Sequence, residues 1–548
     1  MTIPDFEGQA IIQIFSNASQ SQVGCYSSAV TNGYTMAQPK AINSLLIFFT
    51  LIAVLTSTAI ALFDTDAPTI RDHYAHSPSV IVTLSIFHHI FYSSAVSVNW
   101  PRILISFWSN YAWLAGMIHT NPMQHSISRA TGYRARDLIK LGSSPVDFSG
   151  PMIGGYELHE IYPIDHPAPH MKRSINEDFH IESPRVRQGF PLPGNYSGLS
   201  GVLSVENIPA ANAFMTNFVW FLIIFAISLG GVPIIKFILE LAVGTELISE
   251  KRLSTFRRRW RLYVIGLLGK LLLSGFHMLI FTATYQLSLN GKAGVVFFAV
   301  VVFLLIMSCM CVIAGRAILA ALKGTDQEPY TWSEKIDYLC RNSWTDLRDG
   351  NRPRLAPVNH DTHYLCKFGW LSARYRLERW WWFIPSLAYE FLRGCILGAA
   401  IDNPFGQIFV TLALEVIMLA YSVWMKPYEA TRLNVLAVYL LGISKVLTIS
   451  LSAAFHPQFS VPRITTTVIG VFIIIIHGLL TLVAIALIIL GTFCTHLSLR
   501  RRNVLDHSEE NVPQASDEYL GMRYLSRVED SSAQQAQEPP KPDTKEES

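Results

Sequence analysis

The sequence predicts an all-α integral membrane protein of about nine transmembrane helices, N-terminus outside and C-terminus in the cytosol. Three observations carry this. Half of the 548 residues are hydrophobic and only 15% are charged, with a mean hydropathy of +0.31; soluble domains carry about 25% charge. The apolar residues fall in runs of the roughly 20 residues that cross a bilayer. The Lys and Arg residues sit between those runs in positions that agree on one orientation. A net charge of only +3 implies no general attraction to nucleic acid. Together these exclude a soluble enzyme, a disordered chain and a secreted disulfide scaffold. The seven cysteines (Cys25, Cys309, Cys311, Cys340, Cys366, Cys395 and Cys494) form no CxxC pair, so a zinc ribbon is unsupported.

In chain order, residues 1–40 are an outer N-terminal segment with no basic residue in Met1–Glu7 and no secretory signal. Spans are expected over 41–63, 80–98, 213–235, 262–286, 294–321, 381–401, 404–424, 433–454 and 464–493. The shorter run Ile103–Ile118 follows Pro101 and Arg102 and contains Asn110, which reads as interfacial or re-entrant. The domains are then 1–40, the first two transmembrane helices in 41–98, a luminal or extracellular loop 99–212, a membrane core 213–495 with a cytosolic loop 322–380, and a disordered tail 496–548. The tail assignment rests on eleven acidic and four basic residues in 503–548, with no apolar period. Gly230, Gly231 and Pro233 in span three and Pro385 in span six predict kinks. Trp380–Trp382 predict an interfacial anchor.

Sidedness comes from four markers. Glu250–Arg261 carries six Lys/Arg and one acid, and Arg500–Arg502 follow span nine. Six spans separate them, so both are cytosolic by the positive-inside rule. The sequons at Asn17 and Asn195 are the glycosylation candidates, and the same count puts both on the opposite side.

Ionisable groups at bilayer depth cost about 2.5–3.5 kcal/mol on insertion scales, so each is a functional suspect. Span four holds Lys270 and His277, span six Glu390 and Arg393, span seven Gln407 and Glu415, span eight Lys445 and span nine His477. Counted from the turns, Glu390 and Glu415 lie near the midplane and Lys445 at similar depth. Glu390, Arg393, Glu415 and Lys445 are therefore expected to form one cluster of zero formal charge, either as structural ion pairs or lining a path for ions or a polar solute. The transport-path candidates are Lys270, Glu390, Arg393, Glu415 and Lys445. The pair His88-His89, and His360, His363 and Cys366 with Cys340 nearby, are weak metal candidates beside the plainer reading of ordinary polar residues. No catalytic motif and no metal site is assigned.

Several stretches resemble one family. They are Val23-Gly-Cys-Tyr26 with Thr31-Asn-Gly33, Asn99-Trp-Pro101 with Phe107–Gly116, Ile208–Thr216, Arg393-Gly394, Phe405-Gly-Gln407 with Glu415, and Lys426-Pro-Tyr428. Across residues 20–495 the chain resembles the fungal TRP-like membrane proteins, which include the flavin carriers. The resemblance implies ion-channel activity of polycystin type, calcium homeostasis, cell-wall integrity or import of FAD into the endoplasmic reticulum, and it brings no catalytic residues. It also implies an ML-type lipid-recognition domain ahead of span one. This chain begins about where that domain would end, so residues 1–40 are expected to be its remnant, with Cys25 a domain cysteine.

The leading expectation is a TRP-like cation channel or flavin carrier of the endoplasmic reticulum, plasma membrane or vacuole, and not an enzyme. It needs no cofactor. Its partners would be the bilayer, ions or FAD as cargo, and further copies of the chain, but not nucleic acid. An FAD path would use Lys270, Arg393 and Lys445 for the phosphates; a cation path would expose Glu390 and Glu415. The alternative is a non-conducting scaffold for cell-wall or membrane homeostasis, with every midplane charge paired in dry packing.

Overall fold

The computed structural model describes residue 5 and residues 7–15, 22–31, 34–63, 80–131, 152–153, 156–157, 198–246, 254–289, 292–323, 362–429, 431–459 and 461–509. Strands β1 (Glu7–Phe15) and β2 (Gln22–Thr31) pair antiparallel with Glu7 opposite Thr31, and the register shifts at Ile14/Phe15. The helices are α1 (Ser44–Phe63), α2 (Val80–Tyr92), α3 (Arg102–Ser109), α4 (Asn121–Thr131), α5 (Gly198–Val205), α6 (Ala213–Gly244), α7 (Ser254–Ser288), α8 (Ala293–Lys323), α9 (Thr362–Ser372), α10 (Phe383–Ala399), α11 (Pro404–Met425), α12 (Leu441–Ser452) and α13 (Arg463–Glu509). A π-helical turn, Asn434–Leu440, leads into α12. Asn17 and Asn195, the two sequons, lie outside the described residues, as do His360 and Cys340.

Each of the nine apolar segments forms a helix. Seven are long and apolar enough to cross a membrane by length and composition; the helical stretch Val80–Ala95 is apolar but shorter, and α10 has 17 residues. The apolar surface confirms the solvent. Ile227, Phe237 and Phe297 are about 70% exposed, and such faces on helices with saturated backbones belong in lipid. This is a multi-pass membrane protein.

Helix α6 is continuous through Gly230, Gly231 and Pro233. Two local expectations are corrected. Pro385 falls in the first turn of α10, where a missing N–H costs nothing, so it starts the helix rather than bending it. Trp380 and Trp382 are buried against Tyr364, Trp370 and Met425, and Trp382 stacks on Tyr421 at 4.8 Å. They bind one end of the bundle together and are not a lipid-facing belt. At the C-terminus α13 continues to Glu509, so the first part of the expected tail is helical; residues 510–548 lie outside the description.

The run Ile103–Ile118 forms the short helix α3 and a 3-10 turn, Ala112–Ala115. These pack with α5 and the end of α2 into a cap whose centre includes Trp100, Trp108 and Tyr92, each at most 0% exposed. Gly116 closes the 3-10 turn with φ +69°, and a Cβ there would meet Asn217 Oδ1 at 2.9 Å. Burial raises the Glu206 carboxyl to about 7, and a hydrogen bond with Ser109 works in the opposite direction. The folded chain therefore keeps a proton that the unfolded chain gives up near its ordinary value of 4.5. Stability should be level below that value, fall as pH rises toward 7, and level again above it. Melting temperatures across pH 4 to 8 should show this fall, and Glu206→Gln should remove it; an unchanged slope would place the titration elsewhere.

Candidate functional site

The site begins with how α10 meets α7. Gly394 and Gly398 stand one turn apart on α10. A Cβ on Gly394 would lie 3.1 Å from Ile280 Cγ2, and one on Gly398 would strike Thr284 Oγ1 and come within 2.7 Å of the Phe281 carbonyl. Small residues at i, i+4 let two helices approach at backbone distance. Thr284 reinforces the contact through the Gly394 carbonyl at 3.3 Å, and Ser288 through that of Gly398 at 2.9 Å. The close approach sets Glu390 of α10 against His277 of α7, while Tyr389 and Arg393 meet Glu415 on α11.

Arg393 Nε lies 2.9 Å from Glu415 Oε1, both side chains 3% exposed. The N–H does not point along this approach, so the contact is a close ion pair and not a directed hydrogen bond. Tyr389 donates to the Glu415 carboxylate at 2.8–2.9 Å. Lys445 Nζ in turn donates to the Tyr389 hydroxyl at 2.8 Å. Glu390 is held differently. His277 Nδ1 is 3.1 Å from both its Oε2 and its backbone carbonyl, two acceptors, so Nδ1 carries the proton. The Glu390 side chain stays 28% exposed.

That exposure is toward a cavity of about 170 Å³, which has room for on the order of ten waters. Glu390, Arg393, Glu415, Lys445, His277 and His88 line it at one level. Ser422, Trp382, Arg374, Pro427 and Tyr428 line it toward the end of the bundle where α9 lies. It thus extends from the charged cluster toward the end of the bundle where α9 lies.

Four of the five expected path residues come together here. Lys270 does not; it stands on α7 seven residues before His277 and is not in the cavity wall. Within the cluster Glu415 meets Arg393 directly and Lys445 only through Tyr389. Tyr389 escaped the sequence reading because a tyrosine in a span is unremarkable; its i, i+4 spacing from Arg393 was the available signal. Gln407 is a connector. Its Oε1 accepts from Ser97 N at 2.7 Å and its Nε2 donates to the Leu397 carbonyl at 2.8 Å. Among the described residues no group of His, Cys, Asp and Glu is arranged to hold a metal.

Comparison with known proteins follows the same lines. The chain is 22% identical over 526 residues to flavin carrier protein 2 of Saccharomyces cerevisiae, covering 92% of this chain and 60% of that protein. It is 23% identical over 499 residues to the TRP-like ion channel protein flc1 of Cryptococcus neoformans, covering 87% and 60%. It is 20% identical over 507 residues to the TRP-like ion channel pkd2 of Schizosaccharomyces pombe, covering 90% and 62%. The chain therefore spans about 60% of the length of these relatives. No solved structure matches it. Residues 42–513, from the first apolar helix past the last and including the whole charged cluster, match the family described as transient receptor potential (TRP) ion channel, and the chain belongs to that family.

Proposed function

We propose that the protein is a cation-conducting TRP-like channel and that Glu390 is the group a permeating cation meets at the deep end of the cavity. One observation carries this reading. Both cationic side chains of the cluster are turned into protein, Arg393 onto Glu415 and Lys445 onto Tyr389, while the Glu390 carboxylate faces the cavity. Glu390 thus offers a solute in the cavity a carboxylate not covered by a cationic partner, as a cation path requires. Family membership supports transport as the role, and no step in this reading makes or breaks a covalent bond.

Flavin transport is the second reading, favoured by the relatives named as flavin carriers. FAD phosphates would need Arg393 or Lys445 released from their partners. Cation and FAD fluxes should be measured in the same proteoliposomes holding the full chain. Cation flux that Glu390→Gln lowers about ten-fold is the expected result. FAD flux without cation flux would replace this reading by the carrier, and no flux of either would replace it by the scaffold.

A further inference from the structure

A second polar seam lies between α2, α12 and α13, and the cation path does not use it. Its centre is two histidines, His89 and His477, 1% and 0% exposed. Their rings meet edge to face at 5.3 Å. The indole N–H of Trp108 lies 3.1 Å from His477 Nδ1. An indole can only donate, so Nδ1 is the lone pair and the His477 proton sits on Nε2. That nitrogen is 3.1 Å from Thr448 Oγ1. On the other side, His89 Nε2 is 3.1 Å from Ser444 Oγ, and His89 Nδ1 is a buried nitrogen with no hydrogen-bond partner among the described residues. Ser444 and Thr448 stand one turn apart on α12, both buried, as neighbours on one helix face. His89 adjoins His88, which lines the cavity. The charged groups acting on His89 are Arg393 and Lys445 from α10 and α12; His477 is the third titratable neighbour.

Buried polar groups are normally satisfied, and an unpartnered one inside a membrane bundle needs an explanation. We propose that this seam passes protons from the cap to the cavity, with Trp108 as the plug. A proton adds to the His477 Nδ1 lone pair when the Trp108 bond opens. The imidazolium releases its Nε2 proton to Thr448, whose hydroxyl hydrogen moves on toward Ser444. The Ser444 hydrogen passes to His89 Nε2, and His89 gives up its Nδ1 proton on the cavity side. One proton enters and one leaves, and no charge stays behind. Reversing the chain for the next proton takes a tautomer exchange at each ring, which the neutral imidazole allows.

The inference rests on the chain being a transport protein, and the test separates the two. The full chain is reconstituted with an entrapped pH dye and a cation dye, and a pH step is applied with potassium and valinomycin holding the potential. Proton flux above protein-free vesicles is expected. His477→Gln and His89→Gln should lower it at least ten-fold and leave cation flux unchanged. Trp108→Phe, which keeps a ring but removes the N–H, should raise it. Cation flux without proton flux, or histidine variants with wild-type proton flux, overturns the inference alone. If the histidine variants do not fold, an unchanged proton flux in Trp108→Phe overturns it. Proton flux without cation flux supports it while removing the cation reading, and silence in both dyes overturns both.

Discussion

Arg393→Met should destabilise the protein by about 3–5 kcal/mol, the usual cost of leaving one member of a buried ion pair alone. Glu415 is 3% exposed and would retain only the Tyr389 hydroxyl. The measurement is unfolding in detergent with increasing denaturant. Adding Glu415→Gln should recover most of the loss, because one charge of each sign is then removed. The same cycle run on Glu415 and Lys445 should show weaker coupling, since Tyr389 stands between them. Equal coupling in the two cycles would mean that Arg393 and Lys445 share Glu415 in the membrane. A stable Arg393→Met protein would show that the pair contributes little to the fold.

Gly398→Leu should be nearly as damaging. A Cβ at this position would lie 2.7 Å from the Phe281 carbonyl oxygen and 2.8 Å from the Tyr285 amide nitrogen. Backbone cannot turn aside as a side chain can, so α10 must lift off α7. Overpacking costs about 1–3 kcal/mol for added methylenes and more for a branched side chain. The lift would also draw Glu390 away from His277, so cation flux should fall in whatever protein still folds. Gly230→Ala is the control, because a Cβ there meets nothing within 4 Å and alanine favours helix by about 1 kcal/mol. Equal losses in the two variants would show that close packing is not what Gly398 provides.

Much of this architecture was legible in the residues, and for a physical reason. Lipid leaves few options for a backbone, so long apolar runs translate directly into helices. Charges within them are rare enough to stand out. Counting at 1.5 Å per residue from short turns therefore placed Glu390, Arg393, Glu415 and Lys445 together. What the residues did not disclose is rotation. Depth follows from counting, but the direction in which a side chain points depends on how each helix is turned against its neighbours, and that is decided by packing such as Gly398 on Phe281. Hence the residues do not show that Glu415 meets Arg393 directly, that Tyr389 links it to Lys445, or that Lys270 stays out of the cavity. The role of α2 was hidden likewise. Its composition reads as a lipid-facing span, yet nine of its thirteen residues are buried in protein.

The base of the β1–β2 hairpin is tied down by Asp5. Its amide donates to the Tyr34 carbonyl at 2.7 Å, and its carboxylate takes the Met36 amide at 2.7 Å and the Ser106 hydroxyl at 2.9 Å, with Arg102 Nε at 3.7 Å. Two of those residues belong to α3, the helix that also carries Trp108. In mechanical terms the hairpin is a handle and α3 a short lever arm pinned at Asp5. A displacement of the hairpin base would therefore reach α3, the helix that carries Trp108, through the Asp5 carboxylate. Asp5→Ala would remove the carboxylate contacts that join the two.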